Sequence, residues 1–180
     1  MDKDWPGDLP PYAEKSFLYR NARLADVIAH CRGRLVYLAT PYSKIAVGDD
    51  GQWDVGLSIE AMIRAAHWAR HLALERITAV SPIVQSAEMV HTSYLDSSDP
   101  LDPMDADFWT AWCAPLLEAS AAVVVPPIRG WRESLGIRHE VIEALTSGRP
   151  VFVLHADEGE QVDGSPIPCD PSQDVAGVAL

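Results

Sequence analysis

The chain has 180 residues, 48% of them hydrophobic and 22% charged, and its 26 acidic against 14 basic side chains leave a formal net charge of -12. That length suits one domain with its own core, and the acidic excess argues against a nucleic-acid polymer as partner because it repels phosphates. No apolar run approaches the roughly 20 residues needed to cross a bilayer, so no membrane partner is expected.

The opening MDKDWPGDLPPYAEK lacks the basic end and apolar stretch of a secretory signal, which points to the cytoplasm. Residues 1 to about 20, rich in Pro, Asp and Lys, read as an extended arm, and Asn21 to Cys31 fit a short helix with Leu24, Val27 and Ile28 on one face. Arg34 to Ala39 is a compact apolar run closed by Thr40-Pro41, the pattern of a buried parallel strand. From Asp54 to Arg76, Ile59, Met62, Ile63, Ala66, Ala69 and Ala73 trace one helical stripe.

Ile77 to Val80 reads as a second strand ending at Ser81-Pro82, and residues 84 to 104 read as an irregular loop. Asp105 can cap a helix with Phe108, Trp109, Trp112 and Leu116 at helical spacing, which Pro115 should kink in its last turn. Ala121 to Val125 is a third buried strand. Ser134 opens a helix that runs through Leu145 and stops at Gly148-Arg149-Pro150, and Val151 to Leu154 is a fourth strand.

Alternating strands and helices predict an α/β fold: a single-domain, doubly wound parallel sheet of Rossmann or flavodoxin type. The expected organisation is an N-terminal arm and short helix over 1–33, the α/β domain over 34–155 and an acidic Pro/Gly-rich tail over 156–180. Ligands of such sheets bind beyond the carboxyl ends of the strands. Those ends are Thr40-Pro41-Tyr42-Ser43, Ser81-Pro82-Ile83 and residues 126–134.

In the stretch GWRESLGIRHE, residues 130–140, Gly136 and Glu140 stand one turn apart on the same helix face. A helical glycine costs up to about 1 kcal/mol against alanine, so a steric reason for it is expected: a notch through which a ligand approaches the carboxylate. The competing reading is an irregular first turn with a solvated glutamate.

Three stretches resemble the nucleoside 2-deoxyribosyltransferase-like superfamily, and in particular its DUF1937 branch. Tyr37-Leu38-Ala39-Thr40-Pro41-Tyr42-Ser43 is similar to the YLAxP opening, Asp107 and Trp109 with the strand through Val125 to the D-x-x-W element, and Ser134-Leu135-Gly136-Ile137-Arg138-His139-Glu140 to the S-x-G-x-x-x-E segment of deoxynucleoside 5'-monophosphate hydrolases. The resemblance covers about residues 34 to 154. It implies that Glu140 is a nucleophile acting on the N-glycosidic bond of a nucleoside or nucleotide, in a dimer or larger homo-oligomer. Where the family pattern leads one to expect a further helix aspartate, the chain has Trp112-Cys113.

Cleaving an N-glycosidic bond builds positive charge at the anomeric carbon, which a carboxylate beneath it stabilises or captures, while a second group protonates the departing base. Asp105 and Asp107 are the candidates for that second role, although Asp105 equally suits a helix cap. Tyr42, Trp109 and Trp131 offer aromatic faces to a base, with core packing the alternative for Trp109. Ser43, Ser86 and Ser134 are candidates for sugar hydroxyls or a 5'-phosphate, beside Arg129, Arg132 and Arg138. His139 is read as structural, on another face from Glu140, and His91 as either lining the site or surface.

Cys31, Cys113 and Cys169 form no CxxC pair, and there is no P-loop, no GxGxxG after a strand, no HExxH and no GxSxG. No metal and no redox cofactor is expected. The competing function is a catalytically silent nucleotide-binding or interaction module on the same fold.

Overall fold

β2 (Leu35–Leu38), β4 (Ala122–Val125) and β5 (Val151–Leu154) are short runs of branched and aromatic apolar residues that are buried almost throughout. Strands of this kind need cover on both faces. A computed structural model describes residues 9–13, 15–92 and 101–158, and in it these strands join β1 (Leu18–Ala22) and β3 (Thr78–Val80) in one five-stranded sheet of order β1-β5-β4-β2-β3. Every pairing is parallel, with Tyr37 opposite Val123 and Val80, and Val124 opposite Phe152. The doubly wound α/β fold expected from the sequence is therefore present.

Strand alternation splits the core into two layers. Val36, Leu38, Val124, Phe152 and Leu154 meet α1 (Leu24–Cys31) and α2 (Val55–Leu74) through Val27, Cys31, Trp68 and Leu72. Tyr37, Val123, Val125, Val151 and Val153 meet α4 (Ala106–Ala119) and α5 (Leu135–Thr146) through Leu117, Ile137, Val141 and Leu145. The chain leaves β2 through α2 towards β3, and leaves β4 through α5 towards β5 on the other side. Adjacent strands whose connections diverge open a crevice at their carboxyl ends.

Several local expectations are corrected. Residues 18–22 are not part of an extended arm: β1 lies parallel to β5, with Leu18 opposite Val151. Its sequence, LYRNA, carries only one fully buried residue, as an edge strand allows. The helix read from Asn21 begins at Leu24. Within the segment taken as an irregular loop, Pro82–His91 forms α3, with Pro82 at its first position, where the missing N–H costs nothing.

The buried stripe of α2 is Ser58, Ala61, Ala65, Trp68 and Leu72, one residue out of phase with the expected one; Ile59 and Ile63 remain exposed. The large Trp68 and Leu72 decide which face turns inward. Pro115 lies inside α4, which continues to Ala119. Of the segment taken as the tail, Ala156–Glu158 forms a single 3-10 turn, and residues 159–180 lie outside the described residues, as do Cys169 and residues 93–100.

Candidate active site

Tyr37 is the third residue of β2, fully buried, and alternation turns its ring towards α4 and α5. Its hydroxyl donates a 2.6 Å hydrogen bond to Oε1 of Glu140 on α5. The two meet beside a cavity of about 530 Å³. Thr40, Tyr42 and Ser43 from the end of β2, Ile83, Ser86 and Val90 from α3, Trp109, Thr110 and Cys113 from α4, and Ser134, Gly136, His139 and Glu143 from α5 line it. It occupies the carboxyl-end crevice that the topology creates.

Glu140 is half-buried by accessible area and enclosed by the cavity walls. Burial raises its pKa from the ordinary 4.5 to about 7, against the opposing effect of the Tyr37 hydrogen bond, which favours the ionised form. Its carboxyl thus exchanges protons near neutrality. Cys113, which lines the same cavity, is pushed up to about 11, first by burial and then by the neighbouring Glu140 charge. Burial, Glu140 and Cys113 together raise the Tyr37 phenol far out of its usual range, so it stays protonated.

The first turn of α5 builds the approach to the carboxylate. Ser134 is the N-cap, its Oγ accepting from the Ile137 N–H at 3.3 Å. A Cβ on Gly136 would meet only Ser134 Oγ, at 3.8 Å, so no packing inside the protein requires this glycine. The space above it opens to the cavity.

The loop after β2 is held by a chain of side chains. Trp53 Nε1 donates to the Tyr42 hydroxyl at 2.9 Å, that hydroxyl is 2.8 Å from Ser58 Oγ, and Ser58 Oγ is 3.0 Å from His91 Nε2. Asp54 caps α2 by accepting from the Leu57 N–H at 2.8 Å. The ends of α2 and α3 thereby fix Tyr42 on the cavity wall. Thr40 also lines the cavity; it is 6% exposed and its Oγ1 has no hydrogen-bond partner among the described residues.

Of the residues singled out in the sequence, Thr40, Tyr42, Ser43, Ser86, Trp109, Ser134, Gly136 and Glu140 line this one cavity. Asp105 does not: it caps α4, accepting from the Phe108 N–H at 3.0 Å. Asp107, in the first turn of α4, is exposed and outside the lining. Pro41 is buried behind the wall, and Trp131 packs on the core beneath α5 with the Arg132 guanidinium 4.6 Å above its ring. Arg129, Arg132 and Arg138 are absent from the lining.

His139, expected on another face from Glu140, does line the cavity, because the cavity extends along α5 as far as Glu143 and Ser147. Tyr37 and Cys113 were not anticipated as site residues. Strand alternation was the available signal for Tyr37, since it turns the polar tip of that residue towards the helix that carries Glu140. Among the described residues no three His, Cys, Asp or Glu side chains converge as metal ligands, and no helix is long and apolar enough to cross a membrane.

Fold and site together define a parallel α/β protein that holds a proton-exchanging carboxylate at a strand-end cavity. Residues 34–156 match the family described as Domain of unknown function (DUF1937), and the chain belongs to that family. No curated protein and no solved structure matches it.

Proposed function

We propose that this protein cleaves or transfers at the N-glycosidic bond of a nucleoside or nucleoside 5'-monophosphate, as the resemblance to the nucleoside 2-deoxyribosyltransferase-like superfamily suggests. The observation that carries the reading is the pairing of Glu140 with Tyr37 at 2.6 Å on the wall of a cavity large enough for a nucleoside. A Glu140 oxygen attacks the anomeric carbon as the C–N bond breaks, and the base leaves with the electron pair. His139 and Glu143, which line the cavity on the same helix, are placed to supply the proton that the base takes up. Water then opens the glycosyl ester in a hydrolase, or a second base does so in a transferase.

Tyr42 and Trp109 offer the base an aromatic surface, and Ser43, Ser86 and Ser134 are candidate partners for sugar hydroxyls or phosphate. Beside the mouth, Met104, Phe108 and Leu135 are 41%, 43% and 71% exposed, an apolar rim that suits cover by a second copy of the chain. We therefore read the enzyme as a homodimer or larger homo-oligomer, checked by light scattering. The free thiols Cys31 and Cys113 fit the reducing cytoplasm.

The position of Asp107 outside the cavity favours a second reading, a silent nucleotide-binding module. Both are tested by incubating the protein with ribo- and deoxyribonucleosides and their 5'-monophosphates, with and without an acceptor base, and following free base by chromatography beside Glu140→Ala. Base release lost in the variant supports the enzyme. Binding with no release from any compound supports the module.

A further inference from the structure

In the second half of α2 the stretch His67-Trp68-Ala69-Arg70-His71 sets two imidazoles one helical turn apart. Trp68 is buried in the core and fixes the rotation of the helix, so Glu60, Arg64, His67 and His71 line up on one flank of the buried stripe, at the surface or half-buried. The rings of His67 and His71 meet edge to face with centroids 4.5 Å apart, and their Nε2 atoms are 2.8 Å from each other. A hydrogen bond between them requires one Nε2 to carry the proton and the other to offer its lone pair. Two imidazoles at this spacing on one helix face are also the ligands with which H-x-x-x-H segments chelate zinc.

We propose that His67 and His71 form a two-histidine binding site for a divalent transition-metal ion of the zinc, nickel or copper class, the ions that imidazole suits. Zinc bonds to a histidine nitrogen at about 2.0–2.1 Å, which in tetrahedral geometry sets two such nitrogens about 3.3 Å apart, so a widening of about half an ångström admits the ion. Binding moves one ring's proton from Nε2 to Nδ1, leaving two neutral imidazoles that each turn a lone pair to the metal, and no proton is released. The Arg64 cation in the same line is paired with Glu60, which offsets its repulsion of the ion.

Two protein ligands leave the remaining positions to water, so the ion is held exchangeably, unlike the closed four-ligand sites that stabilise a fold. The site is also remote from the cavity: His67 lies about 13 Å of helix beyond Ser58, the α2 residue that bonds Tyr42. It stands whether or not Glu140 acts on a glycosidic bond.

The test is calorimetric titration of the untagged full-length protein with zinc chloride and with nickel chloride, beside His67→Ala, His71→Ala and, as a control on the imidazole of the cavity, His139→Ala. The wild type should take up one ion per chain at this site. Loss of either imidazole removes the chelate and should weaken binding about tenfold or more, whereas His139→Ala should leave it unchanged. Nitrogen-15 NMR of the wild-type imidazoles gives a reading that needs no variant: zinc should shift the Nε2 resonances of His67 and His71 together and convert both rings to the Nδ1–H tautomer. Failure to take up either ion overturns the proposal. So does binding that survives in both alanine variants, a loss confined to one of them, or zinc-dependent shifts at other histidines only.

Discussion

The hydroxyl of Tyr37 lies 2.6 Å from Oε1 of Glu140 while its ring is sealed in the sheet, so a central strand fixes the carboxylate carried by α5. Burial raises the carboxyl pKa and this bond lowers it, leaving it near 7. Two groups from different elements are thus balanced to keep a glutamate exchanging protons at neutral pH.

That balance sets the pH dependence of the proposed reaction. A nucleophilic Glu140 must be ionised, so kcat/KM should rise about tenfold per pH unit below about 7 and level off above it. Tyr37→Phe removes the bond that favours the carboxylate. Its profile should move to higher pH, by about one unit, as the initial rates of base release across pH 5 to 9 will show.

Stability carries the same signature with a definite sign. Because the folded-state pKa of Glu140 lies above the ordinary 4.5, the native state holds the proton more tightly than the unfolded chain between about pH 4.5 and 7. The contribution of this group to stability therefore falls as pH rises through that window, by at most about 3 kcal/mol, and stays level above it. Glu140→Gln is neutral throughout and keeps an oxygen for Tyr37. Urea denaturation should find the variant more stable than the wild type at pH 8 and close to it at pH 4.

Gly136→Ala separates folding from function at one position. The added Cβ meets only Ser134 Oγ at 3.8 Å, and alanine relieves the helix of a glycine. Thermal unfolding should show a gain of about 0.5–1 kcal/mol. The methyl group enters the notch above Glu140, so kcat/KM should fall about tenfold or more through displaced substrate. A variant that gains stability and keeps full activity would show that no ligand uses the notch.

How much of this could be read in advance depends on whether the signal was local. Strands β2 to β5 and α5 announced themselves through apolar runs and caps, and Gly136 and Glu140 fall on one helix face by spacing alone. β1 escaped because an edge strand buries little: LYRNA has no apolar run to find. α3 escaped because Ser81-Pro82 reads equally as the end of a strand or the start of a helix. Tyr37 and Cys113 are distant in sequence from Glu140, and only the pairing of β2 with β4 and the packing of α4 against α5 and β2 bring them to it. Asp107 is placed apart from this group: the first turn of α4 reaches the cavity through Ala106 and Trp109, whereas Asp107 is exposed and outside its lining.

The chain from Trp53 to His91 should prove as costly to break as its burial suggests. Ser58 is fully buried and bonds both Tyr42, at 2.8 Å, and His91, at 3.0 Å, so Ser58→Ala takes this partner from His91 and leaves the Tyr42 hydroxyl with its bond from Trp53 alone. A loss of about 1–3 kcal/mol in urea denaturation is expected, whereas Trp53→Phe leaves the Tyr42–Ser58 bond in place and should cost less from hydrogen bonding. In both variants Tyr42 is less firmly held on the cavity wall. The proposed reaction should then show KM rising more than kcat falls, because what is lost is the placement of the ligand and not the carboxylate that attacks it.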